Sequence, residues 1–147
     1  MTKRLEPRDP KWEARCRASF ERQPICRTLG IELTRVEPGF CEMRMPFNPL
    51  LTQQHGYFHA GMVSTLADNA GGYAALSLTS PGSEVLAVEF KINLMSPAKG
   101  EVMIARARVL KAGRTLAVTS VEVSMLDGGV EKDCAIMQQT VFCQSPA

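Results

Sequence analysis

The apolar period of this chain changes once, and that change limits the fold more than any other feature. Residues 61–78, "GMVSTLADNAGGYAALSL", hold no proline, are rich in Ala, Leu and Met, and end before Ser80-Pro81-Gly82; they read as the longest helix. Beyond Gly82 the period falls to two. "VLAVEFKINLM" sets Val88, Phe90, Ile92 and Leu94 against Ala87, Glu89, Lys91 and Asn93, and "EVMIARARVL" follows a Pro97–Gly100 turn. "KAGR" and "DGG" read as hairpin turns leading into "TLAVTSVEVSM" and "VEKDCAIMQQTVFC". Upstream, "IELTRVEPGFCEMRMPF" reads as two strands around Pro38-Gly39, and "NPLLTQQHGYF" as a loop. "DPKWEARCRASFERQ" reads as a helix with Asp9 as cap, Pro10 in its first turn, and Trp12, Cys16 and Phe20 as a packing stripe. "PICRTLG" is a short helical turn closed by Gly30. This order predicts an α+β fold, an antiparallel sheet of about six strands around one long helix. A chain of 147 residues fits a single domain, 1–147, with 1–10 as a loose tail and 11–28 as a helical extension.

Composition narrows the function classes. A net charge of +2 without a basic block gives no support to nucleic-acid binding. No apolar run has membrane-spanning length, and "MTKRLEPRDPKWEARCRASF" lacks the apolar core of a secretory leader. The five cysteines are odd in number and form no CxxC, so they are expected to be reduced, buried and cytoplasmic. None has zinc-ligand spacing, and His55 and His59 have no cysteine nearby, so zinc is not expected.

Asp68 is the lone charge in the long helix. Helical spacing puts Met62, Leu66, Ala70, Tyr73 and Ala74 on an apolar side for the sheet. It puts Gly61, Ser64, Thr65, Asp68, Gly71, Gly72 and Ala75 on a small, slightly polar side, where a ligand or second backbone comes close. Asp68 is then expected to point away from the sheet. At the helix start, after "GYFHAG", unpaired N–H groups suit an oxyanion such as that of an attacked thioester or ester. From Ala60 to Asp68 a helix rises about 12 Å. One chain cannot easily bring both to one carbonyl; a second copy alongside can.

"GYFHAGMVSTLADNAGGYAAL" with "AVEFKINLMSPAKGEVMIARARVLKAGRTLAVTSVEV" resembles the hotdog-fold thioesterases of the phenylacetate-degradation (PaaI) type, over roughly 47–141. The likeness lies in the His that opens the helix, the Ala-Asp-Asn nine residues on, Ser96-Pro97-Ala98 and Gly113-Arg114. The resemblance implies a hotdog fold and an acyl-CoA thioesterase. Asp68 would be the nucleophile or the general base. The Ala60 N–H would polarise the thioester carbonyl with Gln53, while His59 braces the helix start. Gln53, His59 and Ala60 of one protomer would face Asp68 of the other in a homodimer, which can pair again into a tetramer. The reaction would need no metal and no redox cofactor, CoA would come only as part of the substrate, and neither nucleic acid nor membrane would be a partner. The sequence departs from the family at Ala60, where Gly is usual, and at Ala87, where some relatives hold water with Ser or Thr. Gly61, Ser64, Thr65 and Asn69 stand as further substrate-side candidates. His55 is expected in solvent. Tyr57, Phe58 and Tyr73 are expected in the core rather than an acyl pocket. Lys91, Lys99, Arg106, Arg108, Lys111 and Arg114 are expected on a solvated face, with CoA phosphates as the other use. Two other functions fit these residues. One is a hotdog enoyl-CoA hydratase or dehydratase, which needs a His and an acid meeting across the dimer. The other is a non-catalytic acyl-CoA-binding protein, which Ala60 and Ala87 would suit.

Overall fold

A computed structural model describes residues 5–146. The elements run α1 (Trp12–Glu21), α2 (Pro24–Leu29), β1 (Glu32–Glu37), β2 (Phe40–Pro46), α3 (Ala60–Leu76), β3 (Glu84–Leu94), β4 (Val102–Ala112), β5 (Leu116–Asp127) and β6 (Val130–Gln144). The strands form one antiparallel sheet in the order β1-β2-β4-β5-β6-β3. α3 lies across its concave face, where Val63, Leu66, Ala67, Ala70 and Ala74 bury against Met43, Met45, Met103, Val121 and Met137. This is the hotdog arrangement expected from the sequence, with its extra N-terminal helix.

Local chemistry fixes the ends of the elements. α1 is shorter than the expected span because the turn closes on Asp9. Its Oδ1 accepts from Lys11 N at 2.8 Å, and its carbonyl from Trp12 N at 3.1 Å. Asp9 is buried and paired with Arg15 at 2.9 Å, and Leu5 packs on the core, so the described part of the expected loose tail is anchored. Residues 1–4 lie outside the described residues. The Trp12/Cys16/Phe20 stripe packs on the core as expected. Gly30 closes α2 at φ 68, and Gly39 turns β1 into β2 at φ 76. A single 3-10 turn, Pro49–Leu51, sits in the expected loop. α3 ends two residues early because Ser77 Oγ donates to Ala74 O at 2.7 Å and accepts from Gly39 N at 2.8 Å.

Two patterns read from the sequence are corrected. Gly71 and Ala75 face the sheet, not the open side: Ala75 buries with Ala117, Val141 and Cys143. A small residue marks close approach without saying to what. In β3 a bulge falls at Val88, between the pairs Ala87↔Val141 and Glu89↔Thr140. Ala87 therefore shares a face with Phe90, Ile92 and Leu94, and Val88 does not.

Candidate active site

The helix start is built from a tied loop. Gln53 N donates to Tyr57 O at 2.9 Å, Gly56 turns the chain at φ 81, and Thr52 bridges Phe58. Phe58 N donates to Ala98 O and His59 N to Leu51 O, both at 3.0 Å. The Gln53 side-chain oxygen accepts from His55 N, so the amide is already oriented. His59 is the N-cap: its Nδ1 accepts from Gly61 N at 2.8 Å, and its carbonyl from Met62 N at 2.8 Å. The Ala60 N–H is left without a partner among the described residues. Among the described residues none but glycine has a positive φ, so alanine at 60 carries no backbone strain. Gln53, Tyr57, Phe58, His59 and Ala60 line a cavity of about 490 Å³ with Leu94 to Ala98 and Cys134. His55 is exposed.

Asp68 sits eight residues along α3, half-buried. Its carboxylate points at the sheet side after all, where the Gln139 amide donates to Oδ1. That overturns the expectation that Asp68 points away from the sheet. Burial pushes the Asp68 carboxyl up, and the Gln139 hydrogen bond pulls it partly back. Asp68 lines a second cavity, about 340 Å³, with Asn69, Gly72, Tyr73, Ser19, Gln23, Gln139 and the β3 residues Glu84 to Ala87. Asn69 donates to Thr65 O at 2.9 Å. Ser64 donates to Ala60 O at 2.9 Å and Thr65 to Gly61 O at 2.8 Å; both line neither cavity.

The chain thus brings Gln53, His59 and Ala60 together at one place, and Asp68, Asn69 and Ala87 at another. The two cavities share no lining residue. Of the basic candidates, Arg106 is held between Glu42 at 2.8 Å and Glu131, and Arg108 lies over the Phe40 ring at 4.8 Å. Gln139 and its buried partner Thr119 do not stand out in the sequence as site residues. A signal for them exists: both are polar residues in rows of inward apolar positions on β5 and β6.

The thioesterase superfamily profile matches residues 55–132, from the loop before α3 into β6. The chain belongs to the thioesterase superfamily. It is 41% identical over 102 residues to acyl-coenzyme A thioesterase 13 of Homo sapiens, covering 67% of this chain and 71% of that protein. A thioesterase family protein from Silicibacter pomeroyi superposes with a TM-score of 0.91 at 44% identity, covering 92% of this chain and 99% of that one. The E. coli PaaI protein superposes at 0.82, covering 93% and 95%; at 22% identity that likeness speaks for the fold alone. The protein is therefore a thioester hydrolase. Among the described residues, no helix is long and apolar enough to cross a membrane.

Proposed function

We propose that this protein hydrolyses acyl-CoA thioesters at two composite sites in a homodimer. The observation that carries this reading is the placement of the two cavities at opposite ends of β3. Leu94, at one end of the strand, lines the cavity of the helix start; Glu84 to Ala87, at the other, line that of Asp68. β3 is an edge of the sheet, and its Phe90 and Leu94, on the face turned toward α3, stay 46% and 54% exposed. A long edge with apolar side chains invites pairing. A two-fold pairing of identical edges is antiparallel, so the Asp68 end of one protomer meets the helix start of the other. The separation of about 12 Å along α3 within one chain is then no obstacle.

In such a site the Ala60 N–H, at the positive end of α3, and the Gln53 amide hold the thioester carbonyl oxygen. His59 caps the helix and keeps that N–H in place. Asp68 of the other protomer acts on the carbonyl carbon by one of two routes. It attacks directly, forming an acyl anhydride that water cleaves, or it takes a proton from the attacking water. In both, the carbon–sulfur bond breaks and the CoA sulfur leaves as thiolate, to be protonated. The free acid is the other product. A raised carboxyl suits either route, since a less solvated carboxylate is the stronger base. The five unpaired thiols, all buried, fit a cytoplasmic setting, where CoA esters occur.

The helical geometry at Ala60 removes one motive for a non-catalytic binding role. The test is release of free thiol from a panel of aliphatic and aromatic acyl-CoAs. The wild type is expected to release thiol from at least one class, and Asp68→Asn to lower kcat by about 10³-fold or more with the fold intact. An Asp68→Asn variant as active as wild type would remove Asp68 from the chemistry.

A further inference from the structure

We propose that Gln139 is a positioning residue for Asp68: its buried amide holds one carboxylate oxygen, Oδ1, and leaves the other, Oδ2, for the reaction. This rests on the assignment of Asp68 to thioester hydrolysis and adds to it residues on two strands and a glycine.

Gln139 is 1% exposed and lies in an inward row of β6 between Met137 and Val141, both fully buried. An amide placed there is costly unless both its ends are bonded. They are. Nε2 donates to Asp68 Oδ1 and approaches Asp68 O at 3.4 Å, and Oε1 accepts from Thr119 Oγ1 at 3.2 Å. Thr119 is the cross-strand partner of Gln139 and is itself fully buried. The direction of the hydrogen-bond chain follows from chemistry. An ionised carboxylate only accepts, so the amide nitrogen must face Asp68, its oxygen must face Thr119, and the hydroxyl must donate. The helix is shaped to admit this pair. A Cβ at Gly71 would collide with Gln139 Oε1 and stand 2.9 Å from Thr119 Oγ1. A glycine inside a helix costs about 1 kcal/mol relative to alanine, and here it makes the room that the pair needs. Three elements thus converge on the orientation of one carboxylate.

The amide also opposes burial: burial raises the Asp68 carboxyl and the Gln139 bond lowers it. The other titratable groups around it are Glu84 from β3, Tyr73 on α3, and Cys26 on α2, behind Asn69. Burial pushes Tyr73 up and Cys26 to about 11, so both are neutral at pH 7 and Glu84 is the other carboxyl. The faces of α1, β5 and β6 turned to Asp68 present Ser19, Thr119 and Gln139, which carry no charge.

The test uses the full chain as Gln139→Met, which keeps the size and removes the amide, and Thr119→Val, which removes only the hydroxyl. Thermal unfolding checks the fold of each. For the acyl-CoA that the wild type turns over best, Gln139→Met is expected to lower kcat roughly 10- to 100-fold with KM changed by less than about twofold. The acid limb of its pH–rate profile is expected to move to higher pH, and Thr119→Val to move the same way by less. Titration of the Asp68 carboxyl by ¹³C NMR, assigned with Asp68→Asn, reads the same shift without turnover. Unchanged kcat, acid limb and NMR midpoint in both variants would overturn the proposal. If Gln139→Met does not fold, Thr119→Val decides by the same criteria. A wild type that releases no thiol would overturn the proposed reaction, while the NMR midpoints still decide whether Gln139 governs Asp68.

Discussion

At the scale of the residue, Asp68 is held against its own preference. Burial favours its neutral form, so the charged carboxylate detracts from the stability of the fold. Below the unfolded carboxyl value, about pH 3.9, Asp68 is protonated in folded and unfolded chains alike and costs nothing. As pH rises through the raised folded value, the penalty appears and stays. Asp68→Asn is therefore expected to match wild type in thermal stability near pH 3 and to melt a few degrees higher near pH 7 to 8. A variant that melts lower at neutral pH would contradict the placing of Asp68 as a strained functional group. Asp68 was legible in the sequence because a lone charge in an apolar helix is conspicuous. Gln139 was not, because "QQ" puts two identical residues side by side on a strand. One faces in and one faces out, and a one-residue slip exchanges them. The register Thr119↔Gln139 decides between them, and puts Gln139 in the inward row.

At the scale of the element, α1 does more than cover the core. The Arg15 guanidinium donates to Ser83 O at 2.9 Å, Thr79 O at 3.0 Å and Leu76 O at 3.4 Å, and pairs with Asp9. It thereby serves carbonyls just where α3 ends. Ser19 of α1 and Gln23 after it reach Tyr73 Oη at 3.2 and 3.3 Å, and both line the cavity of Asp68. Arg15→Met is expected to destabilise the protein by about 2–3 kcal/mol, because it strands those carbonyls and leaves Asp9 buried without its cation. Denaturant unfolding measures this. A loss below about 0.5 kcal/mol would show the contacts to be dispensable. The existence, type and order of the elements could be read from period and turn residues, whereas their faces could not. The bulge at Val88 resets the alternation of β3, and Gly71 and Ala75 are small because the sheet comes close.

At the scale of the whole molecule, the chain holds the two proposed halves of a thioester site in separate cavities. The exposed concave row of β3 and the two separate cavities lie along one edge; in the proposed homodimer a two-fold partner would complete both sites at once. The sequence pointed to a second copy through the distance of about 12 Å along the helix, whereas the exposure of the apolar row of β3 could be read only from the structure. The most direct measurement is complementation between two inactive variants. Asp68→Asn removes the acid; Ala60→Pro removes the N–H at the first helical position, where proline is tolerated. His59, at φ −60 and ψ 140, already has the conformation that a following proline requires. Each variant alone is expected to be nearly inactive. Refolded together in equal amounts, half the dimers are mixed and each mixed dimer has one intact site, so about a quarter of wild-type activity is expected to return. Recovery near that level supports sites shared between protomers. No recovery, in a preparation shown to contain mixed dimers, would mean that Ala60 and Asp68 serve the same site from one chain, contradicting a site shared across the dimer.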